Sequence, residues 1–217
     1  MNYRQELIDA GIKLLTSGCT IETWGNISII DRENSIIYIT PSGMDYLTMT
    51  SDDISIIDLE GNHIGGKRKP SIEKDLHALI YKNREDVGSV LHTHPIYSTC
   101  FSAMGEDIPL IIDEAAQVLG DTVKTATYAL PGSIELAKAC VEALGKESMA
   151  CLLKSHGAVC VSSNLKGAFK VSTVLEATAE IYQKIRAMGG KPDPISDENI
   201  EKMKYFAKHI YGKANEN

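Results

Sequence analysis

The chain has 217 residues, enough for one generous domain with a substantial core, and its 22 Lys+Arg against 29 Asp+Glu give a net charge of −7. That balance argues against a broad nucleic-acid or anionic-membrane surface, while a local anion site built from backbone amides stays open. The opening MNYRQELIDAGIKLL lacks the order of a signal peptide and no apolar run reaches the roughly 20 residues of a membrane span, so a soluble, cytoplasmic protein is expected.

Residues 3–16 carry Leu7, Ile8, Leu14 and Leu15 at near-helical spacing, with Gly18 as a stop. After TWGN, the β-branched segments ISIID and IIYIT flank the turn-like RENS and read as a hairpin, followed by the loop PSGMDY. DISIIDL reads as a strand ended by EGN. GGKRKP then leads into a helix over about 71–83, with Pro70 at its entrance and Ser71 as its cap.

Next, VGSVLHT is strand-like, PIYSTCFSAM helical, IPLII and VKTATYA strand-like, and SIELAKACVEAL helical with Gly145 behind it. MACLLKSHGAVCVSS reads as two apolar strands broken at Ser155-His156-Gly157. Asn164 caps a long amphipathic helix to about Met188, ended by Gly189-Gly190 and two prolines. A last helix starts near Ser196 and carries a basic tail and Tyr211. The expected architecture is one α/β domain over 1–217, because strands and helices intersperse and the early hairpin excludes an all-parallel sheet. The five cysteines (19, 100, 140, 151 and 160) are odd in number and form no CxxC, so they read as reduced, mostly buried thiols.

Chemistry concentrates in VLHTHPIYSTC. Side chains two apart on a strand share a face, so His92 and His94 point the same way at the strand end before Pro95. A catalytic zinc needs about three protein ligands and an open position. His156, at the break between two apolar strands beside Gly157, is the candidate third. On spacing alone, HTH is equally an alternating, half-exposed strand end. His63, His77 and His209 read as structural or solvated. Glu73, in a first helical turn, is a candidate acid that the helix dipole alone would also explain. Gly25-Asn26, Ser42-Gly43 and Ser71 offer small side chains and accessible donors suited to a phosphate, although each pair is also ordinary turn chemistry.

Taken in order, TWGNIS, TPSG, KPSIE, HTH and SHG resemble the class II sugar-phosphate aldolase/adducin-head family, especially its L-fuculose-phosphate aldolase branch, over roughly residues 5–212. The resemblance implies a three-layer α/β/α fold with a central, mainly antiparallel sheet, and a homotetramer with interfacial active sites. It also implies one Zn2+ per subunit held by His92, His94 and His156, with Glu73 as catalytic acid/base and resting-state ligand. Gly25, Asn26, Ser42, Gly43, Ser71 and, through its backbone only, Ile72 match the phosphate positions. The implied reaction is reversible cleavage of a ketose 1-phosphate, L-fuculose 1-phosphate-like, to dihydroxyacetone phosphate and a small aldehyde through an enediolate.

The chain departs from the branch on one side of this site. Ile72 replaces a serine, Asp113 stands where the fuculose enzyme has an aldehyde-handling tyrosine, and Pro131 stands where it has a phenylalanine. These positions put lactaldehyde specificity in question. Tyr211 is the candidate for the missing aldehyde-side group, and Asp113 or Glu114 could instead hydrogen-bond an aldehyde hydroxyl. Alternative readings are a pentulose-phosphate 4-epimerase, whose branch carries KPSSD, or a sugar-phosphate dehydratase or decarboxylase. A non-catalytic adducin-like module fits less well, since a scaffold has no physical need for three histidines and Glu73.

Overall fold

The computed structural model of the chain describes residues 2–20 and 22–211. Its elements are α1 (Tyr3–Thr16), β1 (Asn26–Asp31), β2 (Ile36–Ile39), β3 (Ser55–Asp58), β4 (His63–Gly65), α2 (Lys74–Asn83), β5 (Ser89–Thr93), α3 (Ile96–Met104), α4 (Asp113–Val118), β6 (Thr125–Ala126), α5 (Ile134–Leu144), β7 (Ala150–Leu153), β8 (Gly157–Ser162), α6 (Leu165–Ala187) and α7 (Asp197–His209). The strands form one eight-stranded sheet, ordered β4-β3-β2-β1-β5-β8-β7-β6. Every neighbouring pair is antiparallel except β6 with β7. No helix among the described residues is long and apolar enough to cross a membrane.

Alternation along the strands divides the core into two layers. Ile27 and Ile29 of β1, Leu91 of β5 and Cys160 of β8 pack with Leu7 and Leu14 of α1, Phe101 of α3, Ala115 and Ala116 of α4 and Leu175 of α6. On the opposite face, Ile30, Val90, Val159 and Val161 pack with Leu76, Ile80 and Tyr81 of α2 and Leu136 and Cys140 of α5. This is the expected three-layer arrangement. Burial of a leucine such as Leu7 or Leu14, both fully enclosed, is worth about 1.5–3 kcal/mol.

Local chemistry fixes the ends of several elements. Asp31 accepts from the backbone N–H groups of Glu33 and Asn34 and from the Asn34 amide, which closes the β1–β2 turn. The Asn164 side chain accepts from Gly167 N at 2.9 Å and caps α6. Four cysteines are buried and Cys100 is exposed; Cys140 and Cys151 touch as reduced thiols, Sγ atoms 3.5 Å apart.

Three expectations are corrected. IPLII does not form a strand: it supplies one bridge, Ile108 to Val123, and runs into α4, while VKTATYA keeps only the two residues of β6. A short apolar run is the case in which periodicity cannot distinguish strand from helix. GGKRKP follows the unexpected edge strand β4, bulged against β3. The α2 cap is Glu73 rather than Ser71, whose hydroxyl instead accepts from Glu73 N at 3.3 Å. The tail beyond Tyr211 lies outside the described residues.

Candidate active site

The site forms where β1, β5 and β8 end beside the start of α2. Register places Asn26 opposite His92, and His92 opposite Val159. His92 lies on the same side of the sheet as Val90, toward α2, with Asn26 next to it. Two glycines hold this strand end. A Cβ on Gly25, whose φ is +109°, would lie 2.7 Å from the His92 carbonyl, and one on Gly157 would collide with that of Thr93. On the β8 side, Ser155 takes a left-handed conformation (φ 59°), turning the chain so that His156 enters the cluster.

The nitrogens of His92, His94 and His156 available to a ligand lie within 4.8 Å of one another. The Nε2 atoms of His92 and His94 are 3.0 Å apart. His92 Nδ1 donates to the Ala158 carbonyl at 3.0 Å, which fixes the tautomer and leaves Nε2 with a free lone pair. Burial, with His92 as second cause, depresses His94 to about 3 and His156 to about 4, so both rings are neutral donors near neutrality.

Glu73 completes the group. Its carboxylate approaches His92 Nε2 at 3.3 Å and His156 Nε2 at 3.8 Å, and it accepts from the Asn26 amide at 2.8 Å. Burial pushes this carboxyl up, but the neighbouring His92 and the Asn26 hydrogen bond outweigh it and hold the group below its ordinary range. Glu73 Oε1 and His156 Nδ1 are buried without a hydrogen-bond partner among the described residues. Three imidazoles and a carboxylate, with Glu73 Oε1 among the orphaned atoms, form a donor set that could hold a divalent metal.

Beside them opens a cavity of about 380 Å³. Gly25, Asn26, Ser42, Gly43, Ser71 and Ile72 all line it, as do Glu73, His94 and His156. The backbone N–H groups of Gly43 and Ile72 make no hydrogen bond among the described residues, and the start of α2 adds its positive dipole end. Ser42 N and Ser71 N, by contrast, are taken by Lys69 O and Thr40 O. Trp24, Ile72 and Pro131 give the mouth an apolar rim; Trp24 is 59% exposed and Ile72 63%.

Asp113 and Tyr211 do not join this group within the chain. Asp113 starts α4 and is exposed; α4 and α7 belong to the other layer, and Tyr211 stands 64% exposed against Phe206. In the other direction, His77 is part of the site's surroundings although its sequence position reads as structural or solvated. It is fully buried, and its Nε2 meets Asn26 Oδ1. The signal that finds it is its spacing of four from Glu73, which places both on one helix face.

Burial depresses His77 from 6.5 to about 3. The folded protein therefore binds fewer protons than the unfolded chain between those values, and stability is full above about pH 6.5 and falls as pH drops. His94 and His156 act in the same direction. Metal-free protein should lose up to about 1.4 kcal/mol per pH unit through His77 alone. Urea midpoints measured from pH 7.5 to pH 5 test this, and a flat profile would refute it.

The mainly antiparallel sheet gathers at one end three imidazoles and a carboxylate that could hold a metal ion, beside a cavity lined by small residues. The chain belongs to the class II aldolase and adducin N-terminal domain family, which it matches over residues 5–183. It is 35% identical over 200 residues to a 5-deoxy-D-ribulose 1-phosphate aldolase of Bacillus thuringiensis serovar kurstaki, covering 92% of each chain. It is 29% identical over 216 residues to an L-ribulose-5-phosphate 4-epimerase of Salmonella paratyphi B, covering 95% of this chain and 94% of that one. A solved L-fuculose 1-phosphate aldolase superposes with a TM-score of 0.91 at 35% identity, over 95% of this chain and 96% of that one.

Proposed function

We propose that residues 1–217 form one class II aldolase domain that reversibly cleaves a ketose 1-phosphate to dihydroxyacetone phosphate and a small aldehyde, with zinc as its metal. The observation that carries this reading is the placement of the Glu73 carboxylate between the histidine cluster and the amide-lined cavity. His92, His94 and His156 would hold the metal, with Glu73 beside them in the resting state. When bound, it would supply Lewis acidity that stabilises negative charge developing on the substrate oxygens.

The chain's own groups account for the remainder. Amides of Gly43 and Ile72, the Ser42 and Ser71 hydroxyls and the loop at Gly25-Asn26 would bind the phosphate and fix the substrate's orientation. In cleavage, an aldehyde-side base or solvent would take the C4 hydroxyl proton and the C3–C4 pair of electrons would move to C3. Glu73, protonated from solvent for that step, would deliver a proton to that carbon, so that one proton is lost and one is gained. In synthesis, the Glu73 carboxylate removes the same proton. The protein is read as a cytoplasmic homotetramer with active sites at subunit interfaces. That arrangement would cover the apolar rim at Trp24 and Ile72, and would let Asp113 or Tyr211 serve a neighbouring copy's aldehyde side.

The side chains of Trp24, Ile72 and Pro131 carry no charge or hydroxyl, and within this chain Thr23 is the hydroxyl that lines the cavity beside Trp24. Together with the similarity to the deoxyribulose enzyme, this favours aldehydes ending in a methyl group. Glycolaldehyde differs from acetaldehyde by a hydroxyl, which costs about 1–3 kcal/mol where it finds no partner, so kcat/KM for acetaldehyde should exceed that for glycolaldehyde by about fivefold or more. Aldol assays of zinc-loaded enzyme with dihydroxyacetone phosphate and acetaldehyde, lactaldehyde, glycolaldehyde or glyceraldehyde phosphate test this order. Product from none of them rejects the aldolase reading. The second reading, pentulose-phosphate 4-epimerase, draws on the Salmonella relative and requires interconversion of C4 epimers without release of aldehyde.

A further inference from the structure

We propose that His77 is a positioning residue for Glu73, acting through a buried hydrogen-bond ladder, Tyr81–Ser28–His77–Asn26–Glu73, that points all its protons toward the carboxylate. The inference rests on the aldolase reading only for its activity readout.

The ladder has a simple geometric origin. Glu73, His77 and Tyr81 are four residues apart along α2, and Asn26 and Ser28 are two apart along β1. Four helical residues rise about 6.0 Å and two strand residues about 6.8 Å, so the two rows stay in step and interleave. The contacts follow in order. Asn26 Nδ2 donates to Glu73 Oε2 at 2.8 Å, Asn26 Oδ1 meets His77 Nε2, Ser28 Oγ lies 2.6 Å from His77 Nδ1, and Tyr81 Oη lies 2.8 Å from Ser28 Oγ. Glu73 and Asn26 are each 5% exposed, and His77, Ser28 and Tyr81 are fully buried.

Donor and acceptor inventory leaves one assignment for a neutral ring. A carboxylate only accepts, so the NH2 end of Asn26 faces Glu73 and its oxygen faces His77. His77 Nε2 then carries the proton and Nδ1 accepts from the Ser28 hydroxyl, whose oxygen accepts from Tyr81. Were the ring to present a bare Nε2, Asn26 would turn its oxygen toward Glu73 and repel it. His77 therefore keeps the Glu73 carboxylate aimed at the cavity, with no contact of its own to metal or substrate.

The test follows deuterium exchange into dihydroxyacetone phosphate with zinc-loaded enzyme, at saturating substrate. His77→Leu should retain one metal per chain, slow exchange by about 10–100-fold, and leave KM within about threefold. His77→Gln, whose amide nitrogen can replace the Nε2–H donor, should recover most of the lost rate. Unchanged exchange in folded His77→Leu, or a glutamine variant no faster than the leucine one, overturns the proposal. If His77→Leu does not fold, Ser28→Ala takes its place: slower exchange at unchanged KM supports the ladder and an unaltered rate overturns it.

Nitrogen NMR of the metal-free wild-type protein gives a readout independent of activity. A His77 ring protonated at Nε2 is expected, and one protonated at Nδ1 overturns the proposal. Wild-type enzyme that exchanges no proton sinks the aldolase reading instead, and the NMR result still decides the ladder.

Discussion

His94→Ala should yield a folded protein that loses its metal on dialysis and has almost no aldolase activity. His94 is the cluster member best suited to this test, because it is only partly buried and its loss leaves the His92–Ala158 hydrogen bond intact. Lewis-acid stabilisation is worth several kcal/mol, and each 1.36 kcal/mol is tenfold in rate, so a fall of roughly 10³-fold or more is expected. Metal content by plasma emission should drop from about one per chain to near zero, since catalytic zinc sites rest on about three protein ligands. Retention of the metal, with cleavage within tenfold of wild type, would remove His94 from the ligand set.

Glu73→Gln separates chemistry from assembly. The substitution is isosteric, its carbonyl can still accept from Asn26, and the three histidines stay in place. Metal content and phosphate affinity should therefore be retained, while exchange of the C3 proton of dihydroxyacetone phosphate in deuterated water falls by about 10²–10⁴-fold, the usual scale of general acid–base catalysis. The paired readout distinguishes this variant from His94→Ala, which loses metal and exchange together. Exchange at the wild-type rate would mean that another group moves the proton.

Local pattern made much of this site legible. The shared direction of His92 and His94 follows from the two-residue period that β5 sets, and the entry of His156 into the cluster follows from the turn between two apolar strands. The β1–β2 hairpin and the Asn164 cap were readable because turn and cap residues act within a few positions of themselves. Less legible were features decided at long range. α4 emerges from a short apolar run whose fate depends on the α7 and α6 surfaces it meets. His77 shows no partner within its own helix turn other than Glu73; its ring is satisfied by Asn26 and Ser28, about fifty positions earlier in the chain. Asn26, matched to the phosphate loop by resemblance, also spends its amide joining Glu73 to His77.

The two glycines at the end of β5 divide what can be changed in this enzyme from what cannot. Gly25 packs the loop before β1 against the backbone at His92, and Gly157 packs the turn after His156 against the backbone at Thr93. A side chain at either position would displace the binding loop and the histidines as one body. Ile72 and Pro131 stand outside that grip, on the open mouth. On the aldolase reading, substitutions at Ile72 or Pro131 would change which aldehyde is accepted while leaving the histidines and Glu73 in place.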